Sequence, residues 1–103
     1  MIRHIVIWNL KESACGNSRS ENARLLKQKL EALAGRIPGL ERIEVGININ
    51  TEGDAGDVVL YSEFEDAAAL DAYLKHPEHT AIAPFAREVR EDRRVVDYEG
   101  DRF

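Results

Sequence analysis

The chain has one cysteine, three prolines and seven glycines, and aromatic residues make up only 7% of it. A lone Cys15 excludes an internal disulfide and any Cys-x-x-Cys metal or redox pair, and its polar neighbours mark an exposed loop residue. The shortage of proline and glycine excludes collagen-like and low-complexity chains. No apolar run is longer than that of residues 5–8, far short of the roughly 18 residues that would span a bilayer. The opening Met1-Ile2-Arg3-His4 also lacks a signal peptide's cleavage region, so a cytoplasmic location without a membrane partner is expected. Basic charge is in deficit too. Lys and Arg number 14 against 19 Asp and Glu, and a net charge of −5 repels a phosphate backbone, so no nucleic-acid partner is expected.

What is present suits one domain over residues 1–103, with 44% hydrophobic and 32% charged residues. Ile2–Leu10 is β-branched and aromatic and gives way to a polar stretch over residues 11–17, which predicts a strand followed by a loop. Ser18 with Glu21 forms a capping-box pattern that opens a helix over residues 19–35. Leu26, Leu30, Leu33 and Ile37 make its apolar stripe, widened by Leu25, and Gly35 supplies the C-terminal cap. A second strand begins at Ile43, with Ile43, Val45, Ile47 and Ile49 on one face and Glu44, Gly46, Asn48 and Asn50 on the other. Gly53, Asp54 and Gly56 then predict a hairpin turn into a third strand over Val58–Phe64. Asp66 caps a second helix, Ala67–Lys75, that turns Leu70, Tyr73 and Leu74 inward and stops where Pro77 forces His76 out of helical geometry. A short apolar segment with Ile82, Phe85 and Val89 leads to a last strand over residues 93–99.

The order βαββαβ is that of an α+β, ferredoxin-like antiparallel sheet with its helices on one face. Strands one and three are central in that topology, and they are apolar on both sides: Val6 and Trp8 against Ile5 and Ile7, Val58 and Leu60 against Val59 and Tyr61. Two helices cover one side only, so the other predicts a second copy of the sheet and a homodimer joined through sheet faces.

The densest chemistry lies in Tyr73-Leu74-Lys75-His76-Pro77-Glu78-His79, with a further imidazole, His4, on strand one. Together with Ile37-Pro38-Gly39, Val45-Gly46, Phe64 and Asp97-Tyr98-Glu99, this string resembles the stress-responsive A/B barrel, or dabb, family over nearly the whole chain. The resemblance implies a dimeric α+β barrel. It also implies, from the plant polyketide cyclases of that family, an intramolecular aldol condensation without a cofactor. Carried over by position, His79 matches the functional histidine, Tyr73 the helix tyrosine and His4 a pocket histidine. Val6, Trp8, Leu26, Leu30, Leu60, His76 and Ile82 are the further candidates for holding a small apolar ligand. The first helix departs from the cyclases, with leucines where they carry aromatics.

In the catalytic reading His79 is a general base toward carbon between two carbonyls, and Tyr73 hydrogen-bonds the enolate. The bland reading makes Tyr73, His76 and His79 a cap where Pro77 breaks the helix, and His4 a satisfied core residue. A zinc site built from His4, His76 and His79 is disfavoured, because Glu78 between the two turn histidines points elsewhere. The expectation is therefore no metal and no cofactor, with a small enolisable carbonyl compound bound or transformed in an apolar pocket. The alternatives are an aldol cyclase or lyase-type enzyme, a non-catalytic carrier linked to stress, and, by fold analogy alone, a cofactor-independent monooxygenase.

Overall fold

A computed structural model describes residues 1–101. The main sheet is antiparallel with order β4-β5-β1-β6, from β1 (Ile2–Leu10), β4 (Leu40–Ile47), β5 (Val58–Phe64) and β6 (Arg90–Glu99). The expected central strands are β1 and β5, and their register sets Val6 opposite Leu60 and Ile7 opposite Val59. On the inward face Val6, Trp8, Val45, Val58, Leu60 and Phe64 are buried under α1 (Arg19–Glu31) and α2 (Ala67–Lys75). Two short helices, α3 (Pro77–Thr80) and α4 (Ala83–Val89), carry the chain from α2 back to β6. This is the ferredoxin-like arrangement that the element order predicts.

Local chemistry explains the boundaries. The Ser18 hydroxyl accepts from the Glu21 N–H at 3.2 Å while the Glu21 carboxylate accepts from the Ser18 N–H, a complete capping box. Asp66 caps α2 by accepting from the Ala69 N–H at 2.8 Å. His76 ends α2 in extended geometry, as a residue before proline must.

Several expectations are corrected. Residues 11–17 hold more than loop: β2 (Ser13–Ala14) and β3 (Asn17–Ser18) form a small hairpin, turned by Cys15 at φ 54° and Gly16 at φ 77°. Helix α1 stops at Glu31 rather than 35, and the following residues tighten into i→i+3 bonds from Leu33 to Leu30 and from Ala34 to Glu31. Leu33 and Ile37 remain buried beyond its end. Strand β4 runs from Leu40 to Ile47, so Ile49 lies outside it and is 97% exposed, and Ile47 is exposed as well. The physical reason is local, since the Asn48 side chain bonds the backbone of Asn50, its Nδ2 donating to the Asn50 carbonyl and its Oδ1 accepting from the Asn50 N–H. Leu74 is exposed rather than inward in the core, and β6 begins at Arg90 rather than 93.

Candidate functional site

A cavity of about 280 Å³ opens between the covered face of the sheet, α1 and the α3–α4 segment. The strand period puts His4, Val6 and Trp8 of β1 on its floor, beside Leu60 of β5. The helical spacing of Leu26 and Leu30 brings both leucines to one wall, and His79, Ile82, Ala83 and Ala86 form another. Of the residues singled out in the sequence, His4, Val6, Trp8, Leu26, Leu30, Leu60, His79 and Ile82 are thus brought together around one space. Leu74, Arg87, Arg90 and Arg93 complete the lining.

Tyr73 and His76 stand outside that lining. His76 Nδ1 accepts from the Glu78 N–H at 3.1 Å, so the ring caps α3 where Pro77 has no N–H to offer. That corrects its assignment to the ligand. Tyr73 is wholly buried, and its hydroxyl is enclosed without a hydrogen-bond partner rather than open to the cavity; burial pushes its phenol up. Its ring packs on His79 at 4.4 Å between centroids and on Phe64 at 4.9 Å, while His4 meets Phe64 edge-on. Tyr73 therefore backs the imidazole from behind, which corrects the expectation that its hydroxyl reaches a ligand.

The two cavity imidazoles have different surroundings. His4, 3% exposed, has Nδ1 at 2.5 Å from the Asp97 carboxylate, its register partner across the β1–β6 ladder. Because an ionised carboxylate only accepts, Nδ1 carries the proton and Nε2 is the ring's remaining polar atom. His79 has no such anchor: its Nδ1 is buried without a partner. Burial holds the His79 pKa below the ordinary histidine value, the charges of His4 and Arg93 press the same way, and the Leu74 carbonyl opposes them without closing a hydrogen bond. The ring is thus kept neutral at pH 7, the form that takes a proton.

Asp97 was not among the sequence candidates as a site residue. The missed signal is register, because the antiparallel pairing that makes β6 the neighbour of β1 fixes which carboxylate faces His4. The arginines were missed for a different reason. They are split between the segment that carries Ile82, Phe85 and Val89 and the charged strand after it, and only folding brings Arg87 of α4 and Arg93 of β6 to one cavity. Among the described residues no group of His, Cys, Asp and Glu side chains converges in a way that would hold a metal ion, and no helix is long and apolar enough to cross a membrane.

Comparison with known proteins adds a family. A model for the stress responsive A/B barrel domain matches residues 2–100. An uncharacterized protein of Streptomyces coelicolor is 37% identical over 89 residues, covering 85% of this chain and 89% of the relative. Among solved structures, a dimeric protein of unknown function with a ferredoxin-like fold from Bacteroides fragilis is 34% identical. It superposes with a TM-score of 0.84 over 96% of this chain and 95% of its own. A hydroxynitrile lyase from Passiflora edulis reaches a TM-score of 0.80 over 99% of this chain and 95% of its own at 17% identity, a likeness of fold alone.

Proposed function

The chain belongs to the stress responsive A/B barrel domain family, and from that membership we propose that it acts as a homodimer whose subunits each bind a small enolisable carbonyl compound and move a proton on it. The dimer reading is supported by the uncovered sheet face, where Ile7, Val59, Val96 and Tyr98 are exposed, and by the dimeric state of the Bacteroides fragilis relative. The observation that carries the chemistry is His79, a desolvated imidazole in the wall of a cavity that also holds a second, carboxylate-anchored imidazole.

In this reading His79 removes the proton from carbon between two carbonyls, and the charge moves onto oxygen as an enolate. His4, held in place by its Nδ1 bond to Asp97, turns the rest of its ring to the same cavity and orients the substrate there. The enolate carbon then forms a bond to a second carbonyl of the same molecule. The resulting alkoxide recovers a proton from His79, which restores the neutral base. Tyr73 serves as a positioning residue that keeps the His79 ring aimed at the cavity.

The test is exchange of the activated carbon protons of linear poly-β-keto acids and thioesters in heavy water, followed by NMR, with new aromatic absorbance as the sign of closure. His79→Ala and the bulkier His79→Gln should each lower exchange about 10²- to 10⁴-fold with circular dichroism unchanged. Exchange at the buffer rate in wild type, or exchange indifferent to His79, would overturn catalysis and leave a carrier of the same ligands.

A further inference from the structure

The cavity's open side carries an unusual concentration of one charge for so acidic a chain. Arg87, Arg90 and Arg93 all belong to its lining. Among the basic side chains elsewhere, Arg19, Lys27, Arg36, Arg42 and Lys75 each have an acidic partner within 4 Å, whereas Lys11, Arg24, Lys29 and Arg94, scattered over the surface, do not. No such ion pair forms at Arg87, Arg90 or Arg93 among the described residues, although Glu88, Glu91 and Asp92 adjoin them in sequence. Their backbone is well fixed. Val89 between them is fully buried, its carbonyl accepts from the Lys11 N–H at 2.9 Å, and the Arg90 N–H donates to the Ala86 carbonyl.

A bland explanation covers part of this. Arg87 stands in the last turn of α4, where a cation favours the helix's negative end. It does not cover Arg93, which is on β6 and reaches the same space from the strand. Three arginines gathered on the lining of one cavity, none of them in an ion pair among the described residues, stand out in a molecule of net charge −5. Guanidinium forks match planar carboxylates and hold them by charge-assisted bonds.

We propose that the cavity selects a small apolar carboxylate, a short oxo acid in the class named above, gripped at its charged end by Arg87, Arg90 and Arg93 with its carbon chain against Leu26, Leu30 and Leu60. This rests on the reading of the cavity as a ligand site and adds what the ligand must carry. The volume sits at the lower end of ordinary ligand sites, about 300–1,000 Å³, which suits a single short acid. Charge then couples to chemistry. His79 faces His4 of β1, Tyr73 of α2 and Arg93 of β6, with Arg87 and Arg90 on the same lining. A carboxylate seated on the arginines offsets the positive field at His79 and strengthens it as a base just when substrate is present.

Trp8, the only tryptophan and part of the lining, supplies the readout. At pH 7.5, quenching of its fluorescence is titrated with 3-oxohexanoate, its methyl ester and butyl phosphate, using wild type, Arg93→Gln and the triple variant with Gln at positions 87, 90 and 93. The acid should bind at least about tenfold tighter than the ester, the range of a charge-assisted bond, weaken with salt, and lose that preference in the triple variant. An NMR titration of His79 should show its pKa rise on adding the acid and stay put on adding the ester. Equal affinity for acid and ester, a preference that survives in the triple variant, tighter binding of butyl phosphate, or no binding of any of the three overturns the proposal. Proton exchange is read in the same samples. Exchange of ester as fast as acid keeps the catalytic reading and removes this one, whereas a strong acid preference with no exchange does the reverse.

Discussion

The two faces of the sheet are built from the same strands with similar apolar content, and they meet opposite fates. On the covered face Val6, Trp8, Val58 and Leu60 are almost completely buried. One residue along each strand, Ile7 is 40% exposed and Val59 36%, with Val96 at 60% on β6. The faces also differ in where they carry polarity. The covered face has His4, Ser62 and Asp97 toward one end, next to the cavity, while the centre of the bare face is Ile5, Ile7, Val59 and Tyr61. A buried polar group must be bonded or it is costly, and His4 and Ser62 are bonded, to Asp97 and to the His4 carbonyl. Polarity tolerated under helices marks the working side. An apolar centre left in the open marks the side that waits for a partner.

The sharpest way to break this contrast is a charge in the middle of the bare face. Val59→Asp should cost several kcal/mol per subunit in a dimer, because its register partners Ile7 and Gly46 offer no cation and the carboxylate would be buried unpaired. Light scattering should then fall from about twice 11.6 kDa to the monomer mass or report unfolding; a wild type that is already monomeric at micromolar concentration would remove the premise. The matching change on the covered face is Leu26→Ala, at a residue with no exposure. It should cost about 2–5 kcal/mol in denaturant unfolding, leave the oligomeric state alone and enlarge the cavity toward longer ligands. If instead it splits the dimer, the two faces are not independent.

A smaller effect is expected from Asp97→Ala, which strips the buried His4 Nδ1 of its partner. The loss should be about 1–3 kcal/mol of stability together with weaker turnover, and Asp97→Asn should recover much of the stability. Smallest is the pH dependence of His79. Above the ordinary histidine value of about 6.5 both folded and unfolded chains hold the neutral ring, so it contributes no slope. As pH falls below that, the unfolded chain takes the proton first, and stability is lost until the lowered folded value is passed. Urea midpoints between pH 7 and pH 5 should therefore fall more steeply in wild type than in His79→Gln; identical slopes would mean the ring is not desolvated.

Much of this was legible in the residues. The capping box at Ser18 and Glu21, the Asp66 cap and the break at His76-Pro77 are short-range devices, and each stands where the sequence places it. The central position of β1 and β5 followed from the βαββαβ order, and their apolarity on both sides agrees with it. Less legible was anything set by competition or register. Ile47 and Ile49 continue a flawless alternation, yet the Asn48 side chain bonds the Asn50 backbone and the Asn50 side chain accepts from the Glu52 N–H, so the chain turns off the ladder after 48. Tyr73 and His79 are six positions apart and read as partners in chemistry, but packing turns the phenol inward and only the imidazole to the cavity. Asp97 and the arginines at 87, 90 and 93 gain meaning only after the last strand has paired with the first.

The turn at Cys15-Gly16 has a practical consequence. Both residues hold positive φ, the hand that two-residue hairpins favour, so the tip of that hairpin is conformationally set rather than loose. It also presents the sole thiol of the chain, exposed and apart from the cavity lining. A nitroxide attached there would sit once per chain on a rigid mount. Two copies related by a two-fold axis would then give a single narrow distance by pulsed electron resonance, and that distance alone would discriminate pairing through the sheets from pairing through the helices.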